Sequence, residues 1–113
     1  MRNLIIWMLL VHWIADFVCQ PDWMTLNKSK QVEIVLLHTF FYFMILFIGL
    51  EIGTIWGAEY KNIFLINFVS HFAIDFVTSR LYARLWKDGE RHWFFVLLGF
   101  DQFLHTSILI WSL

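Results

Sequence analysis

Apolar residues fall in four long runs, at about 3–20, 34–52, 62–81 and 93–113, with polar stretches between them. Each run is roughly 18–21 residues, the length an α-helix needs to cross a hydrocarbon core of about 30 Å. The pattern predicts an all-α fold, a four-transmembrane-helix bundle forming a single integral membrane domain over residues 1–113. Inside the runs the polar positions are ordered. His12, Asp16 and Gln20 step by four along the first run, and Asn67, His71, Asp75 and Ser79 do so along the third. Residues four apart share a helix face, so each set forms a stripe. The two stripes contain near-copies of one motif, His-Trp-Ile-Ala-Asp-Phe-Val at 12–18 and His-Phe-Ala-Ile-Asp-Phe-Val at 71–77. The repeat predicts two helix pairs of related sequence pattern.

The polar stretches set the boundaries. Pro21 biases the preceding residue away from helix and should end the first run. A polar connection follows through Lys28 and Lys30 to Glu33, with Trp23 and Met24 at the headgroup level. The 53–61 stretch reads as a short loop with Gly53, Gly57 and an interfacial Trp56. The third run has the pattern to continue as helix toward Trp86. The first run is interrupted by His12 and Asp16 and lacks a small-residue cleavage site, so it reads as a mature helix and not as a signal peptide.

Composition changes the picture only in one direction. Hydrophobic residues make up 60 % of the chain and charged residues 15 %, against about 25 % charged in an average soluble chain. The thirteen Phe and seven Trp are more bulk than so small a domain hides from water. A formal net charge of −1 argues against nucleic acid as a partner, which would call for a strongly basic surface. The single cysteine, Cys19, cannot form an internal disulfide and reads as packed against lipid or a helix. Basic residues are unevenly placed. Arg2 and Lys61 flank one side, while Lys28, Lys30, Arg80, Arg84, Lys87 and Arg91 flank the other. That bias predicts a multi-pass protein with both termini outside and the basic loops cytoplasmic.

With this orientation, depth becomes readable. In the first and third runs His precedes Asp. In the fourth, which runs the other way, Asp101 precedes His105. Every Asp therefore lies nearer the cytoplasm, with its His one turn deeper, and His38 enters the same layer from the second run. Four His and three Asp should share one slab of the bilayer. A central Asp costs roughly 2.5–3.5 kcal/mol on insertion scales, whereas an interhelical hydrogen bond returns on average about 0.6 kcal/mol. A divalent cation offsets the cost better, because it neutralises carboxylates and takes neutral imidazole as a ligand. The candidate ligands are His12, Asp16, His38, His71, Asp75, Asp101 and His105. The set suits one or two ions, zinc first, with Mn, Fe or Ni ahead of Ca or Mg. Gln20 and Gln102 read as hydrogen-bonding supports of the ligands. Two other readings of the same residues stay open, helix–helix glue and a proton or ion pathway.

The set His12-x3-Asp16-Phe17-x2-Gln20-Pro21-Asp22-Trp23-Met24, His38, His71-x3-Asp75 and Asp101-Gln102-x2-His105 resembles an uncharacterised family of small membrane proteins of bacteria and their phages, domain of unknown function 3307. The resemblance spans essentially the whole chain. It implies the fold, the site and a place in the bacterial inner membrane, but no reaction. Family members often carry a basic residue one turn after the third-run Asp, where this chain has Ser79-Arg80. A looser likeness, in the intramembrane His and Asp pattern alone, is to inner-membrane proteins assigned as metal-dependent hydrolases.

The leading expectation is an integral membrane metalloprotein that hydrolyses a lipid-linked or phosphate-containing substrate at the cytoplasmic leaflet. Asp16 or Asp101 would be the general base. Arg80 and Arg84, topology determinants first, are also candidates to hold a substrate phosphate. No Ser or Cys has the context of a nucleophile. An ion, proton or metal transport component is the second expectation. A broken helix at the site would favour it, and no Gly or Pro interrupts the first or third run near its His–Asp pair. The third is a non-enzymatic interaction module. The expected partners are the lipid bilayer, a lipid or lipid-linked substrate and, in an oligomer, further copies of the chain.

Overall fold

The computed structural model describes residues 2–52 and 61–113. Among these the chain is all-helical. Helix α1 (Arg2–Trp13) opens into one π-helical turn (Ile14–Val18) and is followed by a short α2 (Asp22–Asn27). Helices α3 (Val32–Ile52), α4 (Lys61–Lys87) and α5 (Arg91–Ser112) complete the fold. Of these α3, α4 and α5 are long and apolar enough to cross a membrane. The expected loop at 53–60, with Gly53, Trp56 and Gly57, lies outside the described residues.

The first run departs from a single helix reaching Gln20. Its α-helical part is 12 residues long, too short to count as a span. Past Trp13 the hydrogen bonds lengthen their reach, and the Cys19 N–H donates to Ile14 O, five residues back, at 2.9 Å. A π turn of this kind inserts a residue into the helix and re-aims the side chains on it, and such turns gather at functional sites. It needs neither Gly nor Pro, so the usual breakers give no sign of it.

The expected polar connection contains a helix. Pro21 sits at its N-cap in extended conformation, with the φ that proline pre-sets, and its carbonyl accepts from the N–H groups of Met24 and Thr25. Met24 is buried while Trp23 is half-exposed. Among the helices α2 touches α3 alone. The α4–α5 turn has a specific cause. Gly89 takes φ +76°, the left-handed conformation that glycine adopts without strain. The Glu90 N–H then donates to Leu85 O and the Gly89 N–H to Trp86 O. That pair of bonds closes a Schellman cap and ends α4 at Lys87, beyond the expected 81.

Helix α4 packs most closely against α5 and also meets α3, while α1 lies against α3 and α5. One apolar layer is built from Met8, Val11 and Ala15 with Tyr42, Leu46, Leu50 and Leu109. Next to it lies a buried polar layer containing His12, Asp16, His38, His71, Asp75, Asp101 and His105. The outer surface carries the bulk of the large apolar side chains, among them Phe40, Phe47, Leu65, Phe95, Phe103 and Trp111. This is the inverse of a water-soluble domain, whose buried residues are mostly apolar and whose charges face out. Cys19 is exposed on this surface. The longest axis is 46 Å, close to the about 40–45 Å of a bilayer with its headgroups.

The α1–α3 contact depends on one small residue. A Cβ on Gly49 would stand 2.6 Å from Val11 Cγ1, and the Trp7 indole N–H donates to Gly49 O at 2.9 Å. Small residues allow this kind of close approach between helices. Gly49→Ala is expected to cost about 1–3 kcal/mol through overpacking. Adding Val11→Ala should restore part of that loss, measured as thermal unfolding of the detergent-purified protein. Strict additivity of the two changes would show that the contact is not formed.

Candidate metal centre

Four ligand atoms from three separate segments converge. Asp16 stands on the π turn, His38 on the first half of α3, and His71 and Asp75 one turn apart on α4. None of these residues is more than 5 % exposed. His38 Nε2 lies 2.9 Å from Asp16 Oδ1 and 3.2 Å from Asp75 Oδ2. His71 Nε2 is 3.5 Å from each of the same two oxygens, and the two Nε2 atoms are 3.0 Å apart. Two imidazole nitrogens and two carboxylate oxygens facing one another need protons or a cation among them. The spacing suits a cation. Zinc bonds of about 2.0–2.1 Å in a tetrahedron put ligand atoms about 3.3–3.4 Å apart.

A second group shares Asp75. Asp75 Oδ1 lies 3.1 Å from His105 Nε2, which is also 3.5 Å from Asp101 Oδ1. Asp75, Asp101 and His105 thus offer three convergent ligand atoms. The Asp75 carboxylate spans both groups, Oδ2 in the first and Oδ1 in the second. A four-atom group resembles a closed structural metal site, and a three-atom group leaves a position open, as catalytic zinc sites do.

The surrounding hydrogen bonds fix these carboxylates. The Gln102 amide donates from Nε2 to Asp16 Oδ2 at 2.9 Å and to Asp101 Oδ2 at 3.0 Å. The Thr78 hydroxyl donates to Asp101 Oδ1 at 2.8 Å. Lys28, just past α2 and buried, donates from Nζ to Asp75 Oδ2 at 2.7 Å and to Gln20 Oε1 at 2.8 Å. The ring of His71 stacks on Tyr42 with centroids 3.9 Å apart. Its Nδ1 has no hydrogen-bond partner among the described residues, so stacking holds this imidazole where a hydrogen bond usually orients a ligand histidine.

A cavity of about 660 Å³ opens beside the carboxylates, at the end of the molecule that holds residues 20–30 and 82–94. Asp16, Asp75 and Asp101 line it, and His12, His38, His71 and His105 do not. The Asp nearer the mouth and the His one turn deeper is the order that the antiparallel reading of the motifs predicts.

Six of the seven expected ligands come together, in two groups joined by Asp75. His12 stands apart from both. Its Nδ1 is 2.9 Å from Tyr42 Oη and its Nε2 is 3.0 Å from Gln102 Oε1. The two copies of the repeated motif are therefore alike in their Asp and unlike in their His, because the π turn between His12 and Asp16 has no counterpart in α4. Gln102 supports two carboxylates, whereas Gln20 reaches them only through Lys28. Arg80 folds back on its own helix, with Nη1 donating to Phe76 O and the guanidinium 3.7 Å from the Phe76 ring. Arg84 is exposed. The basic residues that line the cavity are Lys28, Lys30 and Lys87. Asn67, at the start of the second stripe, is tied to Ile63 O and Ser112 Oγ, away from the site. Sequence reasoning missed Lys28, Tyr42 and Thr78. Tyr42 and Thr78 lie one turn from His38 and Asp75, a spacing that could have found them. Lys28 carries no such signal.

A buried His/Asp cluster that could hold a metal ion, set among apolar helices, defines the class of protein. The chain belongs to the family described as Protein of unknown function (DUF3307), whose model matches residues 4–113. No curated protein and no solved structure matches it.

Lys28 and Asp75 should be energetically coupled. In a cycle of Lys28→Met, Asp75→Asn and the double variant, the double is expected to be less destabilised than the sum of the singles, by about 0.5–3 kcal/mol. Equilibrium unfolding in detergent measures this, and a coupling of zero would rule out the ion pair.

Proposed function

We propose that this chain is an integral membrane metalloprotein whose His/Asp centre holds divalent transition metal, zinc foremost, and hydrolyses a lipid-linked or phosphate-containing substrate. The observation that carries the reading is the meeting of Asp16, His38, His71 and Asp75, whose ligand atoms lie within 4.8 Å of one another, buried and drawn from three segments. The apolar exterior supports a bilayer setting, with α1 and its π turn as a fourth crossing element beside α3, α4 and α5. The Lys and Arg bias supports placing the cavity mouth at the cytoplasmic face and the termini outside.

The open three-atom group supports hydrolysis over a purely structural role. A divalent ion there would supply a bound water that ionises near neutral pH. Of the two candidate general bases, Asp101 lines the cavity and would serve the open group through Oδ1, leaving Oδ2 to act on the water. Thr78 and Gln102 hold its carboxylate in one orientation, and a carboxylate has acceptor capacity beyond those bonds. Asp16 belongs to the closed group and serves as a ligand.

One observation favours a second reading. The π turn at Asp16 is a break in a helix beside the polar layer, and ion or proton pathways use such breaks. Against it stands the packing beyond the His layer, where Met8, Leu46 and Leu109 are fully buried. Access from one side suits a site that binds and reacts, and a through-path would need that layer to open.

Elemental analysis of the detergent-purified protein tests the main reading. One or two equivalents of transition metal are expected. His38→Ala should lower the content, and His12→Ala should leave it unchanged. No metal after reconstitution with zinc or manganese would end the metalloprotein reading, and proton flux in liposomes would then address the pathway. If the metal is present, Asp101→Asn should slow hydrolysis by about 10²–10⁴-fold, the span of general base contributions. An unaffected rate would remove Asp101 from the chemistry.

A further inference from the structure

The cavity contains hydrogen-bond donors that the protein itself does not use. Ser79 Oγ is buried with no hydrogen-bond partner among the described residues, Tyr82 Oη is buried beside the Asp101 carboxylate without a hydrogen bond of good geometry, and both residues line the cavity. Lys28 lines it too. An ammonium has three protons to donate, and Lys28 gives two, to Asp75 and Gln20. Two hydroxyls and one cation with donors to spare therefore stand in the wall of a single space. Buried polar groups are almost always partnered, so two unpartnered hydroxyls beside a lysine with a proton to spare point to a ligand rich in acceptor oxygens.

The walls say what else the ligand carries. Phe17, Leu26, Trp86, Phe94 and Leu98 line the same cavity, giving it an apolar flank beside the donors. Helix α3 contributes nothing to it. Because α2 touches α3 alone among the helices, a gap separates α2 from the α4–α5 hairpin. The ion pair from Lys28 to Asp75 bridges that gap. Lys30 and Lys87, both exposed, also line it. Its volume falls within the about 300–1,000 Å³ of small-molecule sites.

We propose that this cavity binds a phosphate-bearing membrane lipid, the phosphate oxygens accepting from Lys28, Ser79 and Tyr82 and the acyl chain lying along Phe94, Leu98 and Leu26. The assignment rests on the metalloprotein reading in one respect. Asp16, Asp22, Asp75 and Asp101 are the carboxylates of the same cavity, and an anion enters beside the three buried ones once divalent metal has neutralised them. Phosphate binding and metal binding should therefore strengthen one another, as linked equilibria must.

The test uses the zinc-reconstituted full chain in a neutral detergent, with zinc content measured first. Dihexanoyl phosphatidic acid is the probe, titrated by calorimetry against dihexanoylglycerol and inorganic phosphate. Phosphatidic acid is expected to bind at least tenfold more tightly than either. Tyr82→Phe and Ser79→Ala each delete a hydroxyl that makes no well-formed hydrogen bond in the protein. They should leave thermal stability and zinc content unchanged while weakening binding about three- to tenfold, the equivalent of one hydrogen bond. Lys28→Met should weaken it more than tenfold. Ala83→Trp, which fills the cavity from an exposed position on α4, should abolish binding without loss of zinc. Equal binding of the neutral lipid would overturn the proposal, as would unchanged affinity in Tyr82→Phe and Ser79→Ala. Inorganic phosphate binding as tightly as the lipid would assign a free-anion site instead. Protein that takes up no zinc fails the metal reading separately. If that protein still binds phosphatidic acid, and Tyr82→Phe weakens it, the lipid site stands without the metal.

Discussion

Three carboxylates buried among apolar helices are the constraint on which the rest of this structure depends. An ionised group in hydrocarbon is unfavourable by several kcal/mol unless it is neutralised or fully hydrogen-bonded. Asp16, Asp75 and Asp101 are each at most 5 % exposed, so the surrounding chain is arranged to answer them. Gln102 reaches Asp16 and Asp101 with one amide nitrogen, and its oxygen meets His12. Thr78 serves Asp101, and the imidazoles of His38, His71 and His105 face the remaining oxygens. Hydrogen bonds of this kind orient the groups, and a positive charge is still needed. Lys28 supplies one charge, and the converging imidazoles and carboxylates form groups that could hold a metal ion to supply more.

Asp75 is the centre of this arrangement because its two oxygens belong to different groups. One meets His38, His71 and Lys28, and the other meets His105. Everything that changes the position of Asp75 is felt by both groups and by the cavity. The exterior follows from the same constraint. A polar interior is stable only if the surroundings offer no better solvent for it, and a shell of Phe, Trp, Leu and Ile is what a lipid environment permits. The polar layer also explains why so small a chain needs close packing on its far side. There Gly49 lets α3 approach Val11 of α1, and Met8, Leu46 and Leu109 fill the interior.

Much of the site was legible in one dimension. Helical periodicity is strict, so His71 and Asp75 had to share a face, as did Asp101 and His105. The reversal of their order between the third and fourth runs placed all the Asp at one level, and the cavity is lined by Asp and not by His. Gln102 was legible as a support for the ligands for the same reason, since it adjoins Asp101 on one helix. The family follows from the same ordered motifs. Arg80 and Arg84 could not be judged from the sequence. A long cation one turn below a polar stripe has two directions open to it, and Arg80 takes the one along its own helix, over Phe76.

What the sequence determined by itself is the helical fold class, the apolar lengths of the later helices and the residue types that meet in the polar layer. These are properties of local periodicity and solvent preference, which each segment carries independently. What only the tertiary structure decided is the partnership within that layer. The π turn at 14–18 separates the roles of His12 and Asp16, although their spacing is identical to that of His71 and Asp75. Lys28, counted along the chain as a surface charge, turns inward because α2 folds against α3 and places it opposite Asp75. Both outcomes depend on which helix stands across the gap, and no periodicity within one segment contains that information.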